Sequence, residues 1–369
     1  MDTYDEVDRN LLSNNDDSEY LRLFSKVPTQ TFIDIVRKRT HDDPGWIMME
    51  FKRLPSGSNL AESARNIGPI GDSSVPSIEW TGIELTPDGR FRGDYPHAAF
   101  VTGYKKPEAF IASQVPTEAT VNDFWRMIWQ KDCGKIVLLT NLEEEIKKPC
   151  FCFWPEHERS ATFGNLVIQT SEVLNKTFAI RSLSATHNIT RVVNEFTLYH
   201  FTCWPSYGTA GNPGELLKLR ERVTEDISKL IGPIVVLCSS GIGKTGAFIA
   251  LDYVIRQAKE EKAVDVFQAV SNLRQIIPTF VESEKEYEYL YSGVIEALTA
   301  DVDVNGDFAA TKLCPLYMSL LENDKERLTD TYQVMAELSP VATVEDSSCN
   351  DQNESSPNDG AYSWISDPK

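Results

Sequence analysis

The chain has 369 residues, 41% of them hydrophobic and including 17 Phe, 13 Tyr and 7 Trp, which suffices for one large domain with tails or for two medium ones. Its formal charge of −19 argues against nucleic acid and anionic membrane surfaces as partners, because both repel an acidic protein, and any phosphate site must be locally basic. No apolar run reaches the roughly 20 residues of a membrane span, and the acidic, polar start is unlike a secretory signal, so the expected location is cytoplasmic.

Residues 1–27 form a polar acidic segment rich in Asp and Asn. Helical periodicity begins with TFIDIVRKR from Thr31 and resumes with WIMMEFKRL from Trp46, after the break at Asp43-Pro44-Gly45. Residues 56–75, rich in Gly, Ser and Pro, predict a loop. IEWTGIEL, HAAFVTGY and EAFIAS then read as strands, TVNDFWRMIWQ as an amphipathic helix and KIVLLTN as a buried strand. Three more strands follow: NLVIQTSEVL, KTFAIRSLSA and NEFTLYHFT. GELLKLRERVTEDISKLI predicts a helix and GPIVVL another buried strand. GAFIALDYVIRQ, VDVFQAVSNLRQ and EKEYEYLYSGVIEAL predict three further helices. Strands interleaved with helices indicate an α/β domain over 28–300. Residues 301–369 form an acidic tail with room for one helix, PLYMSLLENDKERLTDTYQVMAEL, and then a disordered composition.

The stretch richest in chemistry is Ile234-Val-Val-Leu-Cys-Ser-Ser-Gly-Ile-Gly-Lys-Thr-Gly246. A buried strand ends, a Gly-rich turn follows, and a helix begins. Such a turn aims backbone N–H groups of Ser239, Ser240, Gly241, Ile242, Gly243 and Lys244 at one point beside the positive end of the helix, and so makes an anion cradle. Two signatures compete for it. Gly243-Lys244-Thr245 matches the end of the nucleotide-binding pattern G-x-x-x-x-G-K-[ST], but the first Gly of that pattern falls on Cys238. The cysteine-phosphatase pattern C-x5-R-[ST] matches Cys238 to Thr245 with Lys244 in place of Arg.

Other segments decide between them. Asp94-Tyr-Pro-His-Ala-Ala-Phe-Val-Thr-Gly-Tyr104 resembles D-Y-I-N-A-S-x-[IV]-x-G-Y of the cysteine-dependent protein tyrosine phosphatases. Phe110-Ile-Ala-Ser-Gln-Val-Pro116 and Asp123-Phe-Trp-Arg-Met-Ile-Trp129 are similar to that family's F-I-A-x-Q-x-P and D-F-W-x-M-[IV]-W. Phe153-Trp154-Pro155, His200-Phe-Thr-Cys-Trp-Pro-Ser-Tyr-Gly208 and Glu286-Tyr-Glu-Tyr-Leu-Tyr291 resemble its Y-W-P, its Trp-Pro-Asp loop and its last-helix motif. The motifs stand in the family's order over about residues 30–300. The resemblance implies a tyrosine-phosphatase-like α/β fold, a twisted mixed β-sheet flanked by helices.

It also implies a two-step phosphoryl transfer through a phosphocysteine, and several of the residues for that reaction are changed. Cys238 keeps the nucleophile position and Thr245 the hydroxyl of the signature, but Leu237 stands where the family has a His that favours the thiolate. Lys244 keeps the charge of the signature Arg without its planar fork, a loss of roughly 1.5–3 kcal/mol of charge-assisted hydrogen bonding. Its expected companion is Glu144, at the position of a loop-bracing Glu. Ser206 takes the place of the general acid, a contribution typically worth about 10²–10⁴. Glu282 and Glu286 occupy the two Gln positions, one of which orients water, and Glu282 brings negative charge toward a dianion. Ala64 aligns with the Tyr that flanks the substrate ring.

These changes point to a pseudophosphatase: a binding, scaffold or regulatory module for a phosphotyrosine protein or a protein kinase in signalling. The alternative is an active but impaired protein-tyrosine phosphatase; a third reading is an interaction domain whose pocket is irrelevant. No cofactor is expected. Seven scattered cysteines read as free thiols, and Cys150-x-Cys152 has no second pair with which to hold a metal.

Overall fold

In the computed structural model the described residues are 26–55, 80–89, 91, 93–140, 151–175, 178–204 and 213–305. Four strands lie side by side and parallel: β3 (Lys106–Gln114), β9 (Ile234–Cys238), β4 (Lys135–Leu138) and β8 (Val193–His200). Strands covered on both faces have no solvent side to alternate toward, which is why β9 and β4 read as nearly unbroken hydrophobic runs. Antiparallel strands extend both sides, β2 (Ala98–Gly103) beyond β3, and β7 (Ala179–His187), β6 (Leu166–Asn175) and β5 (Ser160–Phe163) beyond β8. The result is a twisted mixed sheet of eight strands in the order β2-β3-β9-β4-β8-β7-β6-β5. A separate short pair, β1 (Val27–Pro28) with β10 (Ala263–Val264), ties the first described residues to the chain after 260.

Each face of the sheet carries its own core. Helix α3 (Val121–Gln130) covers one face with Phe124, Trp125 and Ile128, and the Trp125 indole N–H donates to the carbonyl of Phe153 at 2.8 Å. The other face is covered by α1 (Thr29–Asp42), α2 (Trp46–Arg53), α4 (Pro213–Glu225), α5 (Gly243–Glu261), α6 (Val266–Ile276) and α7 (Glu284–Asn305). The period of two along β9 assigns its residues to opposite cores: Val235 and Leu237 face α3, Val236 and Cys238 face α5 and α7. All the described residues fall in the unit Met1–Leu321; Glu322–Lys369, with most of the helix expected in the tail, lie outside them.

Two elements differ from the sequence expectation. The strand IEWTGIEL is reduced, among the described residues, to a single bridge between Ile83 and Tyr95. The N–H of Leu85 goes to the Asp94 carboxylate (3.0 Å) and that of Thr86 to the Gln130 side-chain oxygen (2.8 Å), so neither is available to a strand partner. Helix α4 stops at Glu225 rather than running to Ile231. There the Lys135 ammonium donates to the carbonyls of Val223 (2.7 Å) and Asp226 (2.5 Å), which caps the helix end with a cation. The Asp226 carboxylate accepts the Tyr199 hydroxyl at 2.6 Å, and Ile227 and Ile231 are left exposed.

Candidate active site

Cys238 ends β9 at the carboxyl edge of the parallel strands, paired with Gln114 of β3, and the chain turns at once into α5. Edges of this kind are where open α/β sheets place their ligands. Two donors converge on the buried thiol: the Gly241 N–H and the Thr245 hydroxyl, each 3.2 Å from Sγ. The Ser240 hydroxyl stands 3.9 Å from the same sulfur. Gly241 is required here twice over. Its φ is +76°, and a Cβ would lie 2.8 Å from the carbonyl oxygen of Ser113 and 2.9 Å from the N of Gln114.

Not every N–H of the turn is open to an anion. Ser239 N–H donates to Thr140 Oγ1 (3.0 Å), Gly241 N–H to the sulfur, and Ile242 N–H to Ser240 Oγ (3.4 Å). Those of Ser240, Gly243 and Lys244 have no acceptor among the described residues. Thr140 is thus an anchor of the turn that sequence reasoning missed; it lies just past β4, and its own carbonyl is 2.8 Å from His200 Nε2. His200 is buried, which lowers its pKa and favours the neutral ring.

Lys244 is half-buried and has no ion-pair partner among the described residues. Glu144, its expected companion, lies outside them, as do Ser206 at the general-acid position and Ala64. Trp204, two residues before Ser206, is described: it is buried and meets the rings of Phe201 (6.3 Å) and Tyr289 of α7 (5.1 Å). Leu237 is fully buried in the core beneath α3, on the face opposite the thiol.

The two glutamates at the Gln positions have different surroundings. Glu282 is exposed. It follows Val281, a buried β-branched residue at φ +56°, a strained conformation. The Arg274 guanidinium holds that strain in place by donating to the carbonyls of Phe280 (2.9 Å) and Val281 (2.8 Å). Glu286, by contrast, is folded back on the start of α7. Its Oε2 accepts the Ser283 N–H (3.1 Å) while Ser283 Oγ accepts the Glu286 N–H (3.3 Å), a reciprocal capping box whose S-x-x-E signature was legible before an apolar run. The same carboxylate lies against Gly243: a Cβ there would be 2.3 Å from Oε1 and 2.8 Å from Oε2. Burial pushes the Glu286 carboxyl above the ordinary carboxylate range, and the like charge of Glu282 adds to this. The site therefore combines a backbone turn with three open N–H groups and a hydrogen-bonded thiol with one lysine and a carboxylate at the rim.

Among the described residues, no group of three or more His, Cys, Asp and Glu converges as a metal site would, and no helix is long and apolar enough to cross a membrane. The chain is 31% identical to receptor-type tyrosine-protein phosphatase epsilon of Mus musculus over 324 residues, 84% of this chain and 46% of that protein. It is 29% identical to receptor-type tyrosine-protein phosphatase alpha of Homo sapiens over 328 residues, 84% of this chain and 41% of that one. For receptor-type tyrosine-protein phosphatase eta of Gallus gallus the figures are 31% over 289 residues, 76% and 20%. The chain thus spans less than half the length of these relatives. With the family's sequence pattern matched over residues 72–296, more than half of the chain, this protein belongs to the protein-tyrosine phosphatase family.

Proposed function

We propose that this chain is a pseudophosphatase, a cytoplasmic binding or scaffold module whose Cys238 turn engages a phosphotyrosine protein or a protein kinase and turns it over slowly or not at all. The observation that carries the reading is a mismatch within one site. The turn around Cys238 leaves the N–H groups of Ser240, Gly243 and Lys244 open, yet a carboxylate, Glu286, lies against Gly243 at its rim, and its only cation in the signature is a lysine. Open N–H groups suffice to bind an anion, but binding ground state and transition state equally well does not speed the reaction. Rate requires charge stabilisation that grows in the transition state and a proton for the leaving phenolate. Lys244 offers a point charge where a planar fork would hold two equatorial oxygens, and Ser206 offers an alcohol where an acid is needed.

The test uses the full chain and a phosphotyrosine peptide. Binding is expected, weakened by Lys244→Ala and by added salt, with Cys238-dependent turnover about 10³–10⁶ below that of an intact relative. Turnover within about tenfold of an intact relative, lost on Cys238→Ser, overturns the reading. One observation favours that second outcome, an impaired but working phosphatase: two donors are aimed at the sulfur, as a thiolate nucleophile needs.

A further inference from the structure

The carboxylate of Glu286 is a neighbour of any anion held by the turn. The N–H groups of Gly243 and Lys244 are among those left open to a ligand, and the Glu286 carboxylate rests against the Cα of Gly243, on the side to which a Cβ would point. An anion bonded to those N–H groups and an ionised Glu286 would be neighbours across Gly243, and like charges in a partly desolvated site repel strongly. With its proton on, the same carboxyl loses the repulsion and gains an O–H that can donate to an anion oxygen.

Its surroundings set which form prevails. Burial raises its pKa most; the Ser283 N–H opposes this, and the Glu282 carboxylate in the preceding loop reinforces it. Lys244 follows Gly243 on α5, and the Cys238 thiol lies at the base of the same turn. From α6, Arg274 faces the loop, but its guanidinium is committed to the Phe280 and Val281 carbonyls. Lys285, next along the chain, is exposed.

We propose that Glu286 is the selectivity residue of this turn and couples anion binding to proton uptake: a dianion enters together with a proton from solvent, which is carried on the Glu286 carboxyl. The proposal rests on the turn binding anions, as argued above. By linkage, affinity then falls as pH rises through the range in which free Glu286 ionises, and the dianion in turn favours the protonated carboxyl. It also explains why a carboxylate at the rim is tolerated in a site built of N–H groups: it screens out dianions at high pH without deforming the backbone.

The experiment uses the full chain carrying Cys238→Ser, so that the thiol does not titrate, and inorganic sulfate, which stays a dianion throughout. Calorimetry in two buffers of different ionisation enthalpy, at about pH 6 and about pH 8, reads affinity and proton uptake together. Expected are binding about tenfold tighter at the lower pH and a net uptake that averages about half a proton per sulfate over that interval. Glu286→Gln, which keeps the capping box, should abolish uptake and bind at the higher pH about as well as the parent does at the lower. Glu282→Gln should leave the slope nearly intact. Sulfate binding with no uptake, or a slope that survives Glu286→Gln or disappears with Glu282→Gln, overturns the proposal while the cradle stands. If sulfate binds neither protein at either pH, the cradle reading falls and the proposal with it. The uptake measured with Glu286 in place does not depend on how the Gln variant folds.

Discussion

Glu50 and Glu286 both meet α7, both are pushed upward in pKa by burial, and they serve opposite ends. Glu50, on α2, is only 2% exposed, and its Oε1 accepts the hydroxyls of Tyr287 (2.5 Å) and Tyr291 (2.6 Å), one turn apart on α7. Trp46 and Phe32 enclose Tyr291, with ring centroids 5.1 and 6.1 Å away, so the carboxylate joins α1, α2 and α7. Glu286, one residue before Tyr287, shares its carboxylate with a backbone N–H of its own loop and lies against Gly243 of the Cys238 turn. A desolvated carboxylate whose donors are locked in a core contributes cohesion. One that lies against a turn with open N–H groups is free for the selectivity role proposed above. The neighbours decide the role, since the two side chains are chemically identical.

The largest effect expected is the loss of that core node. Glu50→Ala removes the acceptor that two buried phenols share and opens a cavity, and should cost about 3–5 kcal/mol in urea unfolding. Glu286→Ala removes half of a capping box and should cost about 0.5–2 kcal/mol. If Glu286→Ala is the more destabilising of the two, the contrast between core and rim is lost. A smaller effect sharpens the contact itself. Gly243→Ala places a methyl on the Glu286 carboxylate and should cost about 1 kcal/mol in the parent but little in the Glu286→Ala background; a double-mutant cycle with no coupling would show that the two do not touch.

The smallest effect is in pH dependence. The Glu50 carboxyl has a folded pKa above its ordinary value of 4.5, because burial outweighs the two phenol hydrogen bonds. Its contribution is therefore fully present below 4.5, where folded and unfolded chains are both protonated, and is lost as pH climbs through the folded value. Glu50→Gln has no such proton, so its stability relative to the parent should rise over that interval and level off above it. Unfolding free energies in a pH series would show a flat or falling difference if the buried carboxyl is ionised at no cost.

The central strands and the Cys238 turn were legible because each depends on neighbouring residues: an apolar run of four or five, a Gly-rich turn, a helix start. The end of α4 was not, because it depends on Lys135, some 90 positions earlier in the chain, reaching the Val223 and Asp226 carbonyls. Nor was the loss of the IEWTGIEL strand, at whose end the N–H of Leu85 and that of the following Thr86 are taken by Asp94 and Gln130. Of the two glutamates at the Gln positions, the sequence singled out Glu282 as a charge brought toward a dianion, and the contact of Glu286 with Gly243 came only from the fold.

By itself the sequence determined the α/β architecture, the family, and which chemical groups stand at the reacting positions, because these follow from local pattern and residue identity. Only the tertiary structure decided which groups meet: that Thr140 takes the Ser239 N–H, that Arg274 holds the strained Val281, that Leu237 and Cys238 face different cores, and that Glu286 lies at the rim. Each is a contact between separate segments, and its free energy comes from burial and geometry that exist only once the sheet has closed over both faces.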